Sequence, residues 1–80
     1  MKRVIRDIEK NSREIVRVEL DEYQGKQLVS ARVWFRDGDT VKPSSKGLSI
    51  DVKHLPALRQ AIDDAEAAAH AAGLLANSKA

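Results

Sequence analysis

No disulfide and no thiolate metal site can form in this chain, because its 80 residues include no cysteine. Histidine occurs only as His54 and His70, too few for a zinc site without several further ligands. No metal and no cofactor are therefore expected. Long apolar runs are missing too: none approaches the roughly 20 residues that span a bilayer, so no membrane partner is expected. The first residues, Met1 to Asp7, carry charge where a signal peptide needs its apolar stretch, which predicts a cytoplasmic protein. Aromatic residues are reduced to one each of Tyr, Trp and Phe. Charge of one sign does not dominate either, since 14 basic residues stand against 12 acidic ones. A chain this short buries only about 60% of the surface its unfolded form exposes. With disulfides and metals excluded, association is the remaining route to a stable core, and a homodimer is expected.

Catalytic chemistry finds no support. No Ser/His/Asp arrangement has a supporting context, and Pro43-Ser44-Ser45-Lys46-Gly47 lacks the spacing of a phosphate-cradling loop. Asp63, Asp64 and Glu66 are clustered, but on the polar side of a helical pattern, where a solvated face is the simpler reading. His70 falls four residues after Glu66, a helix-surface pairing distance. His54 sits at a strand-to-helix junction, where a local hydrogen bond is expected. The chain is expected not to be an enzyme.

What the sequence does contain is ordered periodicity. Residues 1–12 read as a mobile arm, with Asn11-Ser12 breaking a mixed pattern of charges and Val4, Ile5 and Ile8. From Ile15 the period is two: Val16, Val18 and Leu20 alternate with Arg17, Glu19 and Asp21, which predicts a half-buried strand. Tyr23-Gln24-Gly25-Lys26 reads as a tight turn. Gln27 to Phe35 forms a second strand in which neither parity is purely apolar, so that both faces are partly covered or a bulge shifts the alternation. Asp37-Gly38-Asp39 is a further turn, Thr40-Val41-Lys42 a short third strand closed by Pro43-Ser44-Ser45, and Lys46 to Val52 a fourth. Gly47 marks a bulge or a close backbone approach. Leu55, Leu58, Ile62, Ala65 and Ala69 then make one helical stripe, with either Asp51 as N-cap of a first turn or a reset at Leu55-Pro56, and Gly73 as the stop. The expected fold is α+β: a four-stranded curved antiparallel sheet over residues 13–75 with one C-terminal helix, followed by a frayed tail at 76–80.

Basic charge is concentrated in the middle of the chain. Between Tyr23 and Ile50 stand Lys26, Arg32, Arg36, Lys42 and Lys46 against only Asp37 and Asp39. All three aromatic residues, Tyr23, Trp34 and Phe35, fall in the same hairpin. Rings that stack on bases and cations that neutralise phosphates are what a single-stranded nucleic acid requires of a protein. A duplex reader would instead need a basic helix, and the helix here is acidic to neutral. The plainer reading is that strand aromatics pack a core. Trp34 and Phe35, being adjacent, point to opposite faces, so at most one belongs to any shared surface.

Val16-Arg17-Val18-Glu19-Leu20, Glu22-Tyr23-Gln24-Gly25-Lys26, Leu28 to Phe35 and Lys42-Pro43-Ser44-Ser45-Lys46-Gly47-Leu48-Ser49-Ile50 together resemble the positive cofactor four family of transcriptional coactivators, in its short prokaryotic form. The resemblance covers roughly residues 13 to 65. It implies a homodimer with helices at its centre and two curved sheets that channel antiparallel single strands. Tyr23 and Phe35 match its base-stacking aromatics, while Lys26, Arg32 and Lys46 match its backbone-binding cations. Gly47 keeps the strand thin beside the ligand, and Arg36 and Lys42 join the basic set. Trp34 matches a structural aromatic, placed with Leu55, Leu58, Ile62, Ala65 and Ala69 at the dimer interface. Ser45, Glu14 and Asp21 depart from more basic positions in better-known relatives. The expected partners are single-stranded DNA, a melted duplex or RNA, a second copy of the chain and the transcription machinery. The expected setting is the nucleoid, in transcription regulation or in DNA replication or repair. Two alternatives stay open: a module that docks a partner protein through its helix, and single-stranded RNA binding.

Overall fold

The computed structural model describes residues 2–75. Four strands, β1 (Arg3–Glu9), β2 (Glu14–Tyr23), β3 (Lys26–Asp37) and β4 (Thr40–Asp51), form an open curved antiparallel sheet in sequence order. A single 3₁₀ turn, Val52–His54, leads into the helix α1 (Leu55–Ala71). The α+β architecture is thus the expected one, but its four strands are not the four read from the sequence.

Residues 3–9, read as part of a mobile arm, form β1, so the sheet begins ten residues before the expected boundary at 13. The pattern hid this for two reasons. A register shift between Val4 and Arg6 puts Val4 opposite Glu19 but Ile8 opposite Val16, on the other face. Every residue of β1 is also exposed, so no buried face imposes an alternation. Asn11 does not end the structure but turns it: its Oδ1 accepts from the backbone N–H of Arg13 and of Glu14, both at 2.9 Å.

The third and fourth expected strands are one strand, β4. Arg32 pairs with Gly47 and Trp34 with Pro43, so Ser44, Ser45 and Lys46 stand against Val33 alone. Ser44 holds this bulge by substituting side chain for ladder. Its hydroxyl donates to the Val33 carbonyl at 2.8 Å and accepts from the Lys46 N–H at 3.1 Å. Val52, expected at the end of the last strand, belongs to the 3₁₀ turn, which Asp51 caps by accepting from the Lys53 N–H at 2.9 Å. His54 caps α1 with its backbone only. The helix ends in a Schellman arrangement, with Gly73 at φ +75° and the Leu74 N–H bonded to the Ala69 carbonyl at 2.8 Å. The tail expected to fray, 76–80, lies outside the described residues.

Strand register sorts the sheet into two faces. On the helix side lie Val16, Val18 and Leu20 of β2, Val29, Ala31 and Val33 of β3, and Leu48 and Ile50 of β4. The opposite, open face carries Ile15, Arg17, Glu19 and Asp21, then Leu28, Ser30, Arg32 and Trp34. Both faces of β3 are therefore partly covered. Among the described residues only Ile15 (4% exposed) and Val29 (5%) are buried apolar side chains. Within the described residues no helix is long and apolar enough to cross a membrane.

Candidate nucleic-acid interface

The β2–β3 hairpin sets the site. Gln24 (φ +52°) and Gly25 (φ +80°) make a two-residue turn with both φ values positive, which matches the twist of the flanking strands. It places Tyr23 directly opposite Lys26. Tyr23 is 62% exposed, so its ring is available for stacking. Strand alternation from Lys26 then brings Ser30, Arg32 and Trp34 onto the same open face.

Arg32 lies across from Arg17 in β2 and from Gly47 in β4. Two arginines directly opposite each other repel. Asp7 relieves this by binding Arg17 through both oxygens, at 2.8 and 3.0 Å. The Arg17 guanidinium carbon, held there, sits 4.5 Å from the centroid of the Trp34 ring. The hydrogen bonds from Arg17 hold the Asp7 carboxyl below its ordinary value of 3.8, and Asp7 in turn raises Arg17. Arg32 keeps only a long 3.5 Å contact to the Ser44 carbonyl. Gly47 is required behind it, because a Cβ there would lie 2.6 Å from the Arg32 Cα and against the Ala31 carbonyl oxygen.

The remaining expected cations divide. Arg36 is engaged by Glu9 at 2.7 Å and donates to the Ser12 carbonyl at 3.3 Å, and Lys42 is paired with Asp37 at 2.8 Å. Among the described residues Lys26, Arg32 and Lys46 have no salt-bridge partner. Two groupings from the sequence need correction. Phe35 does not share the face of Tyr23 and Arg32: its register puts it opposite Glu14 and Lys42. It lies instead at the far end of β3, in a cleft with Ser12, Arg13 and Arg36. Trp34 does not accompany the helix stripe. Leu55, Leu58 and Ile62 line an apolar groove of about 270 Å³ with Val18, Val29 and Leu48, on the helix side, whereas Trp34 lines the open face. Ala65 and Ala69 continue along α1 beyond that groove. Sequence reading missed Asp7, Arg17 and Glu19 as parts of the site. For Arg17 the signal was the hairpin register itself, which fixes it opposite Arg32 once the turn at Gln24-Gly25 is accepted; Asp7 and Glu19 carried no such signal.

The family model described as Transcriptional Coactivator p15 (PC4) matches residues 10–61, that is β2 to β4 and the first part of α1. The chain belongs to this family. A PC4 homologue from Burkholderia pseudomallei K96243 superposes in its orthorhombic crystal form with a TM-score of 0.77 at 26% identity, covering 80% of this chain and 88% of that one. Its tetragonal form gives 0.76 at 25% identity, covering 82% and 98%. A bacteriophage T5 homologue of the eukaryotic coactivator PC4, at 19% identity, shares the fold with a TM-score of 0.61 over 91% of this chain and 83% of that one. No protein among the curated sequences matches. Relative to the PC4 match, β1 lies outside, so the Asp7 clamp on Arg17 is an addition from beyond the matched segment.

That clamp has a pH signature. Because the Asp7 carboxyl titrates lower when folded, its contribution is present above 3.8 and disappears as pH falls through the depressed value. The pair is largely solvent-facing, so the contribution is small, about 0.2–1 kcal/mol. Asp7→Asn should melt slightly below the wild type at neutral pH, and the two should converge in strong acid. Equal melting temperatures at neutral pH would show that the clamp carries no stability.

Proposed function

We propose that this PC4-family chain binds single-stranded DNA as a homodimer, by stacking and phosphate neutralisation and without catalysis. The observation that carries the reading is the open face, where Tyr23, Lys26, Arg32 and Trp34 share one side of the hairpin and, among the described residues, Lys26 and Arg32 have no salt-bridge partner. Exposed rings take bases of any kind, and free cations take phosphates. Phe35 lies nine strand positions from Tyr23, about 30 Å along the hairpin, but on the opposite face beside Arg13 and the Glu9-paired Arg36, and so does not extend the Tyr23 surface. The phage T5 homologue, implicated in recombination-dependent DNA replication, supports DNA as the polymer and replication or repair beside transcription as the setting.

Support for a second copy comes from what the single chain leaves uncovered. Its accessible surface is 6320 Å², against about 4,800 Å² for a compact chain of this mass. Its radius of gyration is 14.8 Å, against about 12 Å for a compact domain of this length. An uncovered apolar groove lies between α1 and the sheet, lined by Val18, Val29, Leu48, Leu55, Leu58 and Ile62.

The test is fluorescence anisotropy with labelled single-stranded DNA of about 20 nucleotides at low and moderate salt, with duplex and RNA as competitors. Tight binding that duplex does not displace is expected. Tyr23→Ala should weaken it about 5- to 150-fold, the worth of one stacked base. Removing Lys26 and Lys46 together should flatten the salt dependence by about 1.4 in log–log slope. No binding at low salt would defeat the reading and leave a partner-protein module. Full affinity in a Tyr23→Ala/Phe35→Ala variant would defeat the site assignment. Preferential displacement by RNA would change the polymer.

A further inference from the structure

One feature of the open face is wrong for a phosphate-binding surface. Glu19 is only 6% exposed, yet among the described residues no hydrogen bond reaches its carboxylate. Arg17 feels its charge, but its hydrogen bonds go to Asp7. A carboxylate on so little-exposed a residue is costly to leave without a hydrogen bond, and beside Arg32 it repels the polyanion that Arg32 attracts. Glu19 does not stand alone. Strand pairing sets Glu19, Ser30 and Ser49 in one row across β2, β3 and β4. These three line a pocket of about 260 Å³ together with Arg32 and Trp34, with Lys2 and Asp21 also on its lining. Trp34 closes one side of it with its ring, its own Nε1–H being shut away from solvent without an acceptor among the described residues. The pocket thus holds an unused acceptor in the Glu19 carboxylate. It is smaller than the roughly 300–1,000 Å³ that drug-sized ligands occupy, and so takes a single ring system.

We infer that this pocket receives a guanine base, with the Glu19 carboxylate accepting hydrogen bonds from the two donors of its Watson–Crick edge. The inference rests on the single-strand reading above and adds base preference to it. Donor geometry selects the base. A carboxylate only accepts, and guanine alone presents two adjacent donors, N1–H and the N2 amino group. Adenine and cytosine each set a ring-nitrogen acceptor beside their one amino group, and thymine flanks its single N–H with carbonyls. Arg32, one same-face row away at about 6–7 Å along the strand, is placed to donate to guanine O6 or N7. Unstacked bases in single strands are commonly read on these edges. A neutral polar side chain at position 19 would bind phosphates better, and the carboxylate is explained by a base rather than by the backbone.

Trp34 is the only tryptophan, so its intrinsic fluorescence reports on the pocket directly. The full-length protein would be titrated with an oligo(dT) strand of about 20 nucleotides and with the same strand carrying one central dG. A single dG should tighten binding about tenfold, the worth of a charge-assisted hydrogen bond, and should change Trp34 emission more than dT does. Inosine in its place lacks the N2 amino group and should return most of that gain without altering the protein. Glu19→Gln should lose the preference while binding oligo(dT) more tightly, since a negative charge leaves the face. Free dGMP serves as a separate arm: saturation by dGMP with no gain from dG in the strand would place the base in the pocket but overturn its delivery by a strand. Equal affinity for both strands, or inosine binding as well as guanine, would overturn the pocket assignment while leaving single-strand binding intact. Failure to bind either strand would overturn both.

Discussion

Gly47→Ala is expected to cost about 4 kcal/mol or more, enough to unfold much of the population of so small a domain. Two effects act together. The backbone at Gly47 has φ +141°, a conformation that side chains rarely adopt. A Cβ would also meet the Ala31 carbonyl oxygen, the Arg32 Cα at 2.6 Å and the Arg32 Cβ at 3.1 Å. These are atoms of a paired strand, not the end of a flexible side chain, so the clash is relieved only by separating β4 from β3. The melting temperature should fall by roughly 15–30 °C, at 4–8 °C per kcal/mol for a domain this size. Gly38→Ala is the matched control: it too has positive φ, at +64°, but nothing lies within 4 Å of the added carbon. Its cost should stay near the 1–2 kcal/mol of the left-handed conformation itself. Circular-dichroism melts of the two variants side by side decide the matter. Similar melting temperatures would mean that β4 can shift away from Arg32 at little cost, and the tight packing assigned to the Arg32–Gly47 pair would be wrong.

The sequence made this glycine visible as a close approach but not the bulge that contains it. Pro43-Ser44-Ser45 has the composition of a turn, and the hydroxyl that replaces the missing ladder bond is evident only once Val33 is known to face it. β2 and β3 were legible because the helix-side face is apolar on Val16, Val18 and Leu20, and burial of one face enforces a period of two. β1 was not, because nothing in it is buried and its bulge at Ile5 moves Val4 and Ile8 to opposite faces. The site shows the same division. Tyr23, Lys26 and Arg32 share a face by turn register and parity alone. Parity likewise separated Trp34 from Phe35, and the family resemblance, which grouped Phe35 with Tyr23, did not carry over as a single face here. Glu19 read as a solvated residue of a half-wet strand; at 6% exposed it is buried, which the strand's own pattern does not signal.

Ile62→Glu is expected to abolish the proposed dimer. Ile62 is 59% exposed in the single chain, on a helix that buries none of its residues, and it faces Val18, Val29 and Leu48 across an unfilled groove. If a second copy fills that groove, a two-fold interface buries the position twice. An unpaired charge buried there costs about 3–5 kcal/mol per copy, which weakens association by about four orders of magnitude or more. Because the single chain has little core of its own, dissociation should appear as unfolding, and the wild-type melting temperature should rise with protein concentration. Glu66→Ala, on the polar side of the same helix, should change neither the assembly state nor the melting temperature by much. Sedimentation equilibrium and concentration-series melts test this together. A wild type that sediments as a monomer at high concentration, or an Ile62→Glu chain that still dimerises, would remove the groove from the homodimer. The apolar groove would then require a different protein to cover it, and the open face would act on its nucleic acid one chain at a time, with the avidity of paired sheets lost.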